Sequence, residues 1–167
     1  MKLNCLKNQA MIYIADASLF ITGKRLEGEV ITVPSVVGEL RDESSRTIME
    51  LMNVRVEPPL RSFREEVRVK ARVTKDSEEL SSTDIDILAK ALEYSEREET
   101  ILVTDDFAVQ NTAIQLGIKV MPAAQRTIKD VLLWEKLCIG CKRRFPEGDV
   151  CPVCGSPMKK VRKSKVK

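Results

Sequence analysis

Histidine is absent from all 167 residues. That gap excludes Ser-His-Asp triads, Cys-His dyads, imidazole metal ligands and imidazole acid–base chemistry. Any catalysis is left to carboxylates and to the ions they can hold. No apolar run approaches the ~20 residues of a membrane span, and no signal-peptide pattern opens the chain. The fifth of the five cysteines, Cys5, has no obvious partner. These features predict a cytoplasmic, reducing setting with no membrane partner.

A length of 167 residues at 43% hydrophobic suits one domain of ordinary size plus a small appendage. The net charge of +3 averages two unlike regions. Residues 138–167 carry nine Lys/Arg against two acids (+7), whereas residues 1–137 carry nineteen against twenty-three (−4). Residues 1–10 read as an N-terminal extension without structure.

Four cysteines form two pairs, Cys138-x2-Cys141 and Cys151-x2-Cys154, separated by nine residues. Each pair turns two thiolates toward one point, and two pairs supply the four soft ligands of a tetrahedral zinc site. The segment 137–158 is too short to bury much of a core, so metal binding would supply its folding energy. A zinc closed by four thiolates offers no position to a substrate. The ribbon is therefore expected to hold one structural zinc and to grip, and the chemistry must lie elsewhere. Its basic residues Lys142, Arg143 and Arg144, with Lys159, Lys160, Arg162 and Lys163 of the basic tail 159–167, are candidate contacts for the phosphates of a nucleic acid.

Upstream, short apolar runs alternate with helical patterns. Strands are expected at 12–15, 30–33, 54–56, 101–103 and 118–121. Helices are expected at 35–42, 46–52 and 61–75, from Ser81 onward, and at 107–116. Pro34 suits a first helical position and Gly117 a C-terminal cap. Ile85, Leu88, Ala89 and Leu92 form one apolar stripe. The alternation predicts an α/β domain over residues 11–126, a parallel sheet with helices on both faces. Residues 127–136 read as a connecting helix to the ribbon.

Ligands of open parallel sheets bind beyond the carboxyl ends of the strands. Asp16 ends the first strand, and Asp105 and Asp106 follow the fourth. Glu39 lies about two turns into the helix after the second. Asp84 and Asp86 flank the Ser81 helix stripe on opposite sides. The side of Asp84 carries Ile87 and Ala91 and is read as the drier. That of Asp86 carries Lys90 and Glu93 and is read as the wetter, which makes Asp86 secondary. Several acids at one edge repel unless hard divalent cations such as Mg²⁺ or Mn²⁺ neutralise them. Such an ion can bring down the pKa of a water and clamp the oxygens of a phosphoryl displacement. An acidic site next to a basic arm suggests that the arm binds a polyanion and the acids cut it.

Four stretches, 14–18 (Ile-Ala-Asp-Ala-Ser), 33–40 (Val-Pro-Ser-Val-Val-Gly-Glu-Leu), 80–91 and 102–107 (Leu-Val-Thr-Asp-Asp-Phe), resemble the PIN-domain nucleases in register. The added four-cysteine ribbon and the run Asp105–Asn111 resemble the archaeal form of the Nin-one-binding protein family. The resemblance implies a metal-dependent endoribonuclease that trims the 3′ end of precursor small-subunit rRNA on the pre-ribosomal small subunit, with assembly factors as further protein partners. It implies that Asp16, Glu39, Asp84 and one of Asp105 and Asp106 hold the catalytic metal. The Thr-x-Asp spacing of other members favours Asp106. Two rival readings stand beside it, a toxin-type PIN ribonuclease acting on tRNA or mRNA and a non-catalytic zinc-dependent assembly factor.

Overall fold

The computed structural model describes residues 11–74, 80–124 and 134–163. The expected extension 1–10, residues 127–133 of the expected connecting helix and the last four residues of the basic tail lie outside them.

Five parallel strands form the main sheet: β1 (Ile12–Ala15), β2 (Glu29–Thr32), β3 (Arg55–Val56), β4 (Thr100–Val103) and β5 (Lys119–Met121), in the order β3-β2-β1-β4-β5. Consecutive residues Ile14 and Ala15 of β1, Ile31 and Thr32 of β2, and Leu102 and Val103 of β4 are all fully buried. Successive side chains point to opposite faces, so burial of neighbours means that both faces are covered. The cover comes from α1 (Ala17–Thr22), α2 (Pro34–Glu39), α3 (Glu43–Leu51), α4 (Arg61–Thr74), α5 (Ser82–Ser95) and α6 (Phe107–Gln115). Pro34 opens α2, where a missing N–H costs nothing. Gly117 follows α6 with φ of +76°, as its C-terminal cap role requires.

The 61–75 segment admits either period by sequence. Val67 and Ala71 are buried while Val69 is exposed, so the spacing of four wins and the segment is helix.

The chain runs outward from β1 through β2 to β3, then crosses back to β4 on the other side of β1. The point where strand order reverses lies between β1 and β4, paired through Ala15 and Val103. Loops leaving these two carboxyl ends diverge and open a crevice.

The second sheet has three antiparallel strands, β6 (Trp134–Cys138), β7 (Arg144–Phe145) and β8 (Met158–Arg162), in the order β7-β6-β8. Two expected boundaries change here. Trp134, Glu135 and Lys136 are strand rather than the end of a connecting helix, and residues 159–162 of the expected basic tail belong with Met158 to a strand of the ribbon. The cause is their mutual pairing: each strand satisfies the backbone groups of the other, with Trp134 opposite Arg162 and Cys138 opposite Met158. Lys160 also stacks its ammonium 4.8 Å from the centre of the Trp134 ring.

Candidate active site and cysteine cluster

Asp16 sits at the switch point. Its backbone N–H extends the ladder to Val103 O at 3.1 Å, and its side chain caps α1 through the Ala17 N–H at 2.7 Å. The second carboxylate oxygen accepts from the Thr104 hydroxyl at 2.8 Å. That hydroxyl in turn accepts the Asp106 N–H at 3.1 Å. One fully buried threonine thus ties the ends of β1 and β4 together. Its own carbonyl accepts from the buried Gln110 side chain at 3.0 Å, and Ser18 accepts the Asp105 N–H at 3.3 Å. Sequence reasoning assigned no role to Thr104, Gln110 or Ser18. The Thr-x-Asp spacing was the available signal for the first.

Asp106 caps α6, accepting from Ala108 at 2.7 Å and Val109 at 3.0 Å. Asp84 completes a capping box with Ser81, accepting its N–H at 2.7 Å. Burial pushes the Asp16 carboxyl above the usual range, and the charges of Asp84 and Asp106 add to that rise. Burial likewise raises Asp84, assisted by Asp106 and Glu39. Asp16, Glu39, Asp84 and Asp106, drawn from four separate segments, therefore share one field at the sheet edge.

The other two acids turn aside. Both oxygens of Asp105 accept the Ala124 N–H at 3.1 Å, beyond β5. Asp86 is ion-paired with Arg64 and accepts from Ser35 at 3.0 Å. The flank of Asp84 is dry as expected at Ile87 and Ala91, both fully buried, but the flank of Asp86 is not the wetter one. Asp86, Lys90 and Glu93 are 7%, 2% and 8% exposed, whereas Asp84 is half-buried. These charges avoid water because they meet one another and their neighbours. Lys90 lies 3.1 Å from Glu93 and 3.6 Å from Glu57, and Glu93 accepts the Leu60 N–H at 3.2 Å. A helical wheel shows charge but not its partners.

The cysteines are drawn together more tightly. All four sulfurs lie within 4.8 Å of one another, and among the described residues they are the group of metal-binding type so gathered. None is in a disulfide, and Cys138 and Cys151 are buried. The Cys138–Cys154 and Cys141–Cys151 sulfur distances are 3.4 and 3.6 Å. A tetrahedral zinc with ~2.3 Å bonds has sulfur–sulfur edges of ~3.8 Å, so the donor set and its size fit zinc. The Ser156 hydroxyl and N–H hold the Cys154 thiol down to about 5. Gly155 (φ +69°) and Lys142 (φ +61°) take the left-handed turn after each pair. The strain on Lys142 is offset by its ammonium, which donates to Ile139 O at 2.6 Å.

The candidate nucleic-acid contacts divide. Lys142 is folded onto Ile139, Arg144 is paired with Glu135, and Lys160 lies on Trp134. Arg143, Lys159, Arg162 and Lys163 are exposed.

The model for the family described as "PIN domain of ribonuclease" matches residues 13–94, which include Asp16, Glu39 and Asp84 but stop short of Asp106. Endoribonuclease Nob1 of Archaeoglobus fulgidus is 43% identical over 146 residues, 87% of either chain. Endoribonuclease Nob1 of Pyrococcus abyssi is 39% identical over 89% of this chain and 92% of its own. Ribonuclease VapC1 of Thermoplasma acidophilum is 34% identical over 90% of this chain and 78% of its own. The chain belongs to the Nob1 family of PIN-domain endoribonucleases.

Proposed function

We propose that this endoribonuclease cleaves precursor small-subunit rRNA near its 3′ end on the pre-ribosomal small subunit, in the cytoplasm, leaving 5′-phosphate and 3′-hydroxyl ends. The carrying observation is that Asp16, Asp84 and Asp106 feel one another's charge at the strand-order switch point, with Glu39 in reach of Asp84, in a chain of this family.

The four carboxylates are the catalytic residues of this reading. They are hard oxygen donors, the set that suits Mg²⁺ or Mn²⁺. Asp16 and Asp84 are anions made costly by burial and by each other, a condition that a divalent cation relieves. An ion held there supplies a water of lowered pKa and positive charge for the phosphodiester oxygens. Thr104 keeps Asp16 in one orientation and ties it to the Asp106 backbone, so these two donors are preorganised. Asp86 is a brace, joining α5 to α2 and α4. Asp105 holds the loop after β5.

The cysteines hold one zinc, which keeps the short three-stranded sheet folded. Arg143, Lys159, Arg162 and Lys163 then present positive charge to RNA phosphates, while Lys142, Arg144 and Lys160 serve the ribbon itself.

End-mapping of products from an RNA spanning the small-subunit rRNA 3′ boundary tests the proposal. With Mn²⁺ or Mg²⁺ a single cut at the mature end is expected, abolished by EDTA and by Asp16→Asn while RNA binding persists. Undiminished cleavage by Asp16→Asn would falsify the catalytic assignment. The likeness to Ribonuclease VapC1 is to a ribonuclease whose name specifies no rRNA, and the second reading is a ribonuclease acting on tRNA or mRNA. Cuts in those RNAs and none at the rRNA boundary would select it.

A further inference from the structure

The domain that carries the acids is itself acidic, yet its positive charge is not scattered. α4 holds five Lys/Arg against two acids, while the rest of residues 1–137 holds fourteen against twenty-one. On a helix of ~100° per residue, Arg61, Arg64, Arg68 and Arg72 fall within an arc of ~80°, with Lys70 on the far side. Two of the four are engaged: Arg64 with Asp86, and Arg68 with the exposed Glu65 at 2.7 Å. Arg61 and Arg72 are exposed and form no ion pair among the described residues.

The stripe runs toward the acid cluster. Leu60 meets Glu93, and Arg64 meets Asp86, so α4 and α5 lie antiparallel and the far end of α4 approaches the first turn of α5. There, Arg68, Ala71, Arg72, Leu80 and Ile85 line a cleft of about 220 Å³. Ile85 follows Asp84 in the first turn of α5, so the cleft lies at the helix end that carries one acid of the cluster. Two guanidiniums over an apolar floor, at the end of α5 that carries Asp84, form a seat for the phosphates of a single strand.

We infer that the arginine stripe of α4, with the cleft between Arg68 and Arg72 at its end, is a track for RNA backbone phosphates that leads the strand to the carboxylates. This inference rests on the RNA-cleaving role proposed above. It gives the PIN domain its own grip, separate from the ribbon. Arg64 belongs to the brace on Asp86, so the track proper is Arg61, Arg68 and Arg72.

The test uses the full-length, zinc-loaded protein carrying Asp16→Asn, so that RNA is bound and not cut. Anisotropy of a fluorescein-labelled single-stranded RNA, titrated over a range of KCl, reads affinity and salt slope. Arg68→Gln with Arg72→Gln should weaken binding roughly tenfold. It should also remove about 1.4 from the slope, at ~0.7 per phosphate. Lysines at both positions should restore most of the slope, because it counts charges rather than fork geometry. In the cleaving protein the glutamine pair should raise KM far more than it lowers kcat. Lys70→Gln, on the opposite face, is the matched control. An unchanged slope and KM in the glutamine pair would overturn the track while leaving the carboxylate reading intact. A Lys70→Gln effect as large as that of a single stripe arginine would overturn it too, by reducing it to net charge. Absence of cleavage in the unmutated protein would instead overturn the proposed function, and anisotropy would still decide the track.

Discussion

Two groups of four candidate ligands divide this molecule, and they are built in opposite ways. The sulfurs come from seventeen consecutive residues, Cys138 to Cys154, and lie within 4.8 Å of one another. The carboxylates come from positions 16, 39, 84 and 106, on four segments of an α/β sheet. Thiols can share protons and hydrogen-bond at 3.4–3.6 Å, so they close up under their own chemistry. Carboxylates repel, and here three of the four are partly spent on structure: Asp16 caps α1, Asp84 completes a capping box and Asp106 caps α6. A site made by local spacing can be self-assembling; a site made by topology must be held open by the rest of the fold.

Removing zinc probes the self-assembling half and has the largest expected effect. A structural zinc contributes ~10–16 kcal/mol to a small domain. Cys151→Ser with Cys154→Ser should therefore unfold residues 134–163, while backbone amide resonances of residues 11–124 stay in place. Loss of both sets together would show that the two halves fold as one unit and would break the comparison.

The carboxylate half is sharpened by its doubled acid. Asp106 shares the field of Asp16 and Asp84, whereas Asp105 is turned to the Ala124 amide. Asp106→Asn should lower kcat by about 10²–10³, the usual loss for one preorganised electrostatic group. Asp105→Asn should cost about tenfold or less, as a positioning change. Equal losses would mean that both side chains serve the reaction.

The smallest effect is a matter of pH. The folded pKa of Asp16 and of Asp84 is raised above the value of 3.8 for a free carboxyl. The folded protein then binds the proton more tightly than the unfolded chain, so these groups cost no stability below that pH. The cost grows as pH rises through 3.8 and is complete above the raised values. Asp84→Asn, which keeps the cap, should raise stability slightly near neutral pH, with the gain vanishing near pH 3. Melting curves at the two pH values check it, and an equal gain at both would disprove the ionic origin.

Much of this was legible from residue spacing. The Val30 and Ile101 runs, the stripe of α5 and the Cys-x2-Cys pairs each carry a local period, and each became the element it announced. The failures share one physical form. Asp86, Lys90 and Glu93 were read as a wetter flank because a helix pattern shows charges without the partners that bury them. The expected helix before the ribbon proved to be strand at Trp134–Lys136, because its backbone partner, Met158–Arg162, lies a ribbon's length further on. Asp105 and Asp106 were inseparable, since neighbouring residues differ only in where the fold turns them.

Sequence alone therefore determined the chemistry available to this protein: no imidazole, four thiols at metal spacing, acids at strand ends and a basic C-terminus. Tertiary structure decided what spacing could not, that Asp106 and not Asp105 shares the field of Asp16 and Asp84. The crossover from β3 to β4 puts the ends of β1 and β4 side by side, and the Thr104 hydroxyl ties Asp16 to the Asp106 backbone across them. Distance along the chain carries no information about that meeting, because the sheet and not the spacing brings residues 16 and 106 together.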